Sequence, residues 1–170
     1  LDTRGFVSTL SRVISGTGGL TQFSSLGGGV QAGAFFITGN NTYTGGTTIN
    51  QGVFNINANS GLGDPSGNIT INNGAGLWLQ QPMTIAHAIT LGNLSGGTVN
   101  PRGNPSTLSG VISGPGMLTV VNDTASNGVL TLSGNNLFTG GLQIEGGAGP
   151  VTVAVANDAP PSARPEAPSA

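Results

Sequence analysis

Residues 8–21 read STLSRVISGTGGLT, and residues 106–119 read STLSGVISGPGMLT. The same string is written twice, 98 residues apart when Ile14 is laid on Ile112. A second pair lies further along. Residues 38–49 read TGNNTYTGGTTI and residues 133–144 read SGNNLFTGGLQI, now 95 residues apart. The repeat is long, slightly elastic and about 1.7 copies deep. Restatement at this distance points to a solenoid, in which one unit cannot bury its apolar face alone and stacks on its neighbour. The second copy is expected to lie parallel to the first, with Ile14 and Ile112 on related surfaces.

The residues between these strings supply the strands. Val53–Asn57 reads VFNIN and places Phe54 and Ile56 on one face; Asn68–Asn72 reads NITIN and does so with Ile69 and Ile71. The stretches at 77–79, 89–91, 130–132 and 151–155 continue the period of two. Opposite-parity positions are mostly Thr, Asn or Ser, so one face is buried and the other wet. Glycine clusters at 15–19, 44–46, 72–76, 95–97 and 113–116 mark corners. No window shows the helical spacing of apolar residues. A coil that turns the same way at each corner is favoured over hairpins, because a sandwich has no reason to restate a string at such a distance. At ~20–25 residues per coil, about seven rungs stacked at ~4.8 Å give a rod roughly 35 Å long.

Composition narrows the function. Only 6% of the residues are charged, against roughly 25% in an average soluble domain. Lysine is absent, and the basic residues are Arg4, Arg12, Arg102 and Arg164. A basic groove for nucleic acid is excluded, because nothing could neutralise a run of phosphates. Cysteine is absent, which removes disulfides and thiolate metal sites. No cofactor is implied. No apolar window is long enough for a membrane-spanning helix. The opening Leu1-Asp2-Thr3-Arg4 lacks the apolar stretch of a leader, as expected of a mature or excised fragment. From Asp158 the composition shifts to proline and alanine, so 1–157 is read as the coil and 158–170 as an extended tail or linker.

The strings at 13–21 and 39–50, restated at 111–119 and 134–144, closely resemble the passenger-associated β-strand repeat of bacterial autotransporters. Gly61-Leu62-Gly63-Asp64 followed by Asn68-Ile69-Thr70-Ile71 resembles the link between the family's units. The resemblance runs from Leu1 to about Val155. It implies an all-β, single-stranded, right-handed parallel β-helix, secreted or on the outer surface of a Gram-negative-type cell, serving as an adhesive stalk or self-assembling surface fibre. It implies no catalytic residues. The family's membrane β-barrel does not follow the repeat here, so a self-transport role is not carried over.

Individual residues sharpen these expectations. His87 is the sole histidine and lacks the signature of a catalytic base; a corner position is expected. Asp123 and Glu145, 22 residues apart, could stand on adjacent rungs as the acid pair of a polysaccharide-active enzyme, although exposed acids on a solenoid are ordinarily solvated corners. Gly61-x-Gly63-Asp64 is one partial copy of a calcium-binding motif that works only in stacks. Asn40, Asn41, Asn135 and Asn136 fall at matched repeat positions and are candidates for a structural ladder. Phe36, Tyr43, Trp78 and Phe138 are the surplus aromatics. Alternation places Phe36 and Trp78 on the outer face, where they could seat a sugar, a partner chain or a second copy. The candidate partners are therefore a glycan, a host or cell-surface protein, and further copies of the chain or the rest of a longer passenger meeting it end to end. A carbohydrate-binding module stands beside the enzyme as the alternative to a structural role. Both ends of the coil read as mid-unit, without a capping helix.

Overall fold

A computed structural model describes residues 1–25 and 33–156; the tail expected at 158–170 lies outside them. The chain winds as a three-faced coil in which every paired strand is parallel to its neighbours. The first face stacks β1 (Val7–Leu10), β3 (Ala34–Ile37), β5 (Val53–Ile56), β7 (Ala75–Leu79), β10 (Gly97–Asn100), β13 (Leu118–Asn122) and β15 (Leu142–Gly146). The second face stacks β2 (Leu20–Gln22), β4 (Thr47–Ile49), β6 (Ile69–Ile71), β9 (Ile89–Leu91) and β12 (Ile112–Ser113). The third stacks β8 (Thr84–Ile85), β11 (Pro105–Leu108), β14 (Gly128–Leu132) and β16 (Val151–Val155). Seven strands on the first face bound about six turns, one fewer than the seven rungs expected.

Alternation in the sequence becomes columns in space. Phe35, Phe54, Leu77, Val99 and Val120 are successive register partners on the first face, and all are buried. Ile49, Ile71 and Leu91 form such a column on the second face, and Ile85, Leu108 and Leu132 on the third. Phe35 and Phe54 stack with ring centroids 6.5 Å apart. Burying each such side chain stabilises the fold by ~1.5–3 kcal/mol. The outward positions carry a hydroxyl column, with Thr21, Thr48, Thr70, Thr90 and Ser113 in register on the second face. β-branched threonine suits the pleat while its hydroxyl stays wet.

The repeat does not return to its own face. Ser8–Leu10 lies in β1 on the first face, whereas Ser106–Leu108 lies in β11 on the third. Leu20-Thr21 is on the second face and Leu118-Thr119 on the first; Thr47–Ile49 is on the second and Leu142–Ile144 on the first. Four turns, from β1 to β10, are followed by one further face. Ile14 and Ile112 therefore occupy equivalent local settings a third of a turn apart, not one shared surface. The cause is unequal turns: 27 residues separate Val7 from its partner Ala34, and 19 separate Ala34 from Val53. Corner lengths accumulate and set the phase.

Candidate functional site

Three devices recur in both copies. In the first, the G-N-N asparagine reaches back one turn. Ile14 N–H donates to Asn41 Oδ1 at 2.9 Å, and Ile112 N–H donates to Asn136 Oδ1 at 3.2 Å. Asn41 Nδ2 also donates forward to the Gly61 carbonyl at 3.0 Å, so one side chain ties three turns. In the second, the glycine of the same motif clears a carbonyl on the previous turn. A Cβ at Gly39 would stand 2.3 Å from the Arg12 oxygen, and one at Gly134 2.2 Å from the Gly110 oxygen. Only a residue without Cβ fits either place. In the third, the D-x-R-G and N-x-R-G turns are alike. Arg4 N–H donates to Asp2 Oδ1 and Arg102 N–H to Asn100 Oδ1, with both arginines in the left-handed region (φ 45° and 50°).

The asparagines expected as a ladder thus act by different partners. Asn41 and Asn136 hold backbone N–H groups, and Asn40 Oδ1 accepts from Ser60 Oγ; Asn135 is exposed. Asparagine stacks on asparagine elsewhere. Asn72 Nδ2 donates to Asn50 Oδ1 at 2.8 Å, and Asn93 Nδ2 donates to Asn73 Oδ1 at 2.6 Å. The pattern T-I-N at 48–50 and 70–72 is the signal in the sequence for the first of these pairs.

The aromatic candidates separate. Tyr43 is buried at 1% exposure and is not on the outer surface. Its hydroxyl lies 2.6 Å from Thr47 Oγ1, and Thr47 Oγ1 donates to the Leu62 carbonyl. Burial pushes the Tyr43 phenol above its ordinary pKa, against the Thr47 hydrogen bond. The short 3-10 helix Asn59–Leu62 follows one turn later and supplies the carbonyls that meet this corner. Phe138, the matched residue of the second copy, is half-buried against the core. Phe36 is half-buried in the outward column between Thr9 and Asn55.

Trp78 faces outward as alternation requires, yet only 8% of it is exposed. Its ring occupies the space above Gly76, where a Cβ would stand 1.7 Å from the ring. Trp78 Nε1 donates to Asp123 Oδ2 at 3.1 Å, and Arg102 Nη1 donates to the same oxygen at 2.9 Å. This cluster joins residues 45 apart in sequence, and Arg102 enters it from outside the set of sequence candidates. The pair is partly exposed, so it contributes at most ~1 kcal/mol. A ring so covered cannot stack a sugar. Asp123 is engaged by a cation and an indole, while Glu145 is exposed beside Gln143 Nε2. Asp64 accepts from Ser66 N and Oγ, and Ser66, through its side chain first, holds the carboxyl below its ordinary pKa. Among the described residues, no group of His, Asp or Glu could hold a metal ion, and no helix is long and apolar enough to cross a membrane.

The interior columns become exposed at β15 and β16, where Leu142, Ile144 and Val155 are 40%, 51% and 48% exposed. They are the register partners of buried Leu118, Val120 and Leu132.

Residues 31–56 and 125–148 match the passenger-associated-transport-repeat family. Over 148 residues, 86% of this chain, the sequence is 35% identical to the Adhesin BmaC autotransporter of Brucella suis biovar 1 (strain 1330), of whose length the chain spans about 4%. No solved structure matches the chain. Both G-N-N strings, at 39–41 and 134–136, fall within the matched segments.

Proposed function

We propose that this chain, which carries two passenger-associated transport repeats, is an extracellular structural segment of a bacterial surface passenger, working as a stiff adhesive stalk. The observation that carries the reading is the unbroken parallel stack, whose columns run through both repeats. The relative is called an adhesin, and the proposal extends that role to this chain. Contact is made by the charge-poor flanks with a host or cell-surface molecule. The apolar edge at β15 and β16 is covered by another rung, supplied by the same passenger or by a second copy, since parallel edges pair with further strands.

A Gram-negative cell displaying residues 1–170 on an unrelated anchor tests the adhesive part. Retention on a host-cell layer above that of the anchor alone is expected; retention equal to the anchor alone contradicts adhesion by this segment. Sedimentation tests the edge. Concentration-dependent assembly of the purified chain, abolished in Ile144→Glu, is expected if a second copy covers it. A chain that stays monomeric at all concentrations assigns the cover to the same passenger.

A further inference from the structure

His87 is the one histidine of the chain and takes part in none of the devices that tie the turns. It lies between β8 and β9, is fully buried, and neither Nδ1 nor Nε2 has a partner in hydrogen-bonding geometry. The backbone of Gly63 and Asp64 lies beside it on the preceding turn. On the next turn, a Cβ at Gly110 would stand 2.0 Å from the His87 carbonyl oxygen.

We propose that His87 is an acid-sensitive joint, at which proton uptake by the buried imidazole opens the coil between the turns carrying Gly63 and Gly110. A neutral ring is tolerated in this seat. An imidazolium would bring a charge and two N–H donors into a place sealed from water. The charged group acting on it is Asp64, across the preceding turn. That carboxylate is exposed and already accepts from Ser66 N and Oγ. The next turn presents Gly110 flanked by Ser109 and Val111, and the segment from Thr84 to Ile89 carries no other charge. Burial accordingly lowers the affinity of the ring for a proton, outweighing the pull of the Gly63 and Asp64 backbone and of the Asp64 charge.

Linkage sets the sign. The unfolded chain takes up a proton near pH 6.5, whereas the folded chain resists until a lower pH. Stability is full above about pH 6.5, falls as pH drops from there toward the folded value, and levels off below it. The opening constant grows by up to about tenfold per pH unit. Asp2 and Asp64 do not confuse the window, since hydrogen bonds hold both carboxyls below the usual carboxylate range.

Because the chain has one histidine, its imidazole signals in an NMR titration need no assignment. They are expected to titrate clearly below pH 6.5 in the folded chain. Urea unfolding of the full chain should show an unfolding constant larger at pH ~5.5 than at ~7.5, by up to about tenfold. In His87→Gln the constant should stay level, and amide protection across 85–91, taken against the intrinsic exchange rate at each pH, should lose its acid-dependent decrease. An imidazole titrating at or above about 6.5, or an equal acid slope in His87→Gln, overturns the proposal. If His87→Gln does not fold, the titration of the unaltered chain decides alone.

Discussion

The corner of the first copy, Gly39 to Tyr43, and the corner of the second, Gly134 to Phe138, have nearly the same sequence and different depths. Both place an asparagine oxygen on the N–H of the isoleucine one turn back. Both set a glycine against a backbone carbonyl. Yet Tyr43 is buried with its hydroxyl hydrogen-bonded, while Phe138 remains half-exposed. The 3-10 helix Asn59–Leu62 covers the first, whereas the residues one turn beyond the second lie outside those described. A motif thus fixes a local device, whereas its burial is supplied by the next turn. This is how a solenoid distributes stability, as unit terms plus neighbour terms.

Aromatic truncation breaks the comparison most strongly. Tyr43→Ala removes a buried ring and takes away the hydroxyl beside Thr47, and should cost about 3–5 kcal/mol in urea unfolding. Phe138→Ala, half-exposed already, should cost about 1–2 kcal/mol. Equal losses would mean that the two corners are equally covered. Asparagine truncation is a finer probe. Asn41→Ala loses one partner on each side of a buried amide, about 1–3 kcal/mol. Asn136→Ala loses the bond to Ile112, about 0.5–1.5 kcal/mol. A larger loss at Asn136 would reverse the ordering. The smallest effect is expected at the outer cluster, where Asp123→Asn weakens the partly exposed pair with Arg102 by at most ~1 kcal/mol. Trp78 fluorescence should shift in that variant, because its indole N–H donates to the altered group.

The parallel coil is legible in the sequence because repetition and period-two alternation are local properties. The strings at 8–21 and 106–119 need no distant partner to be recognised. The face each copy occupies is not legible, since it depends on the sum of every intervening corner, with turns as different as 19 and 27 residues. The burial of Tyr43 is hidden for a similar reason: its cover comes from 59–62, a segment whose helical turn has no strong signal. Alternation assigns Trp78 to the correct face, but its closure depends on Gly76 two residues earlier and Asp123 45 residues later. Arg102 is marked only by its match to Arg4 in the two R-G turns.

Pulsed electron spin resonance tests the architecture most directly, and the absence of native cysteine makes labelling clean. Thr21→Cys paired with Ser113→Cys spans four steps of one outward column and should give about 19 Å between backbones. Moving the first label to Thr48 should shorten this to about 14 Å. A distance that does not shorten by about one strand spacing, or a Thr21-to-Thr119 pair that fits the same column, would contradict a parallel coil whose second copy lies one face onward.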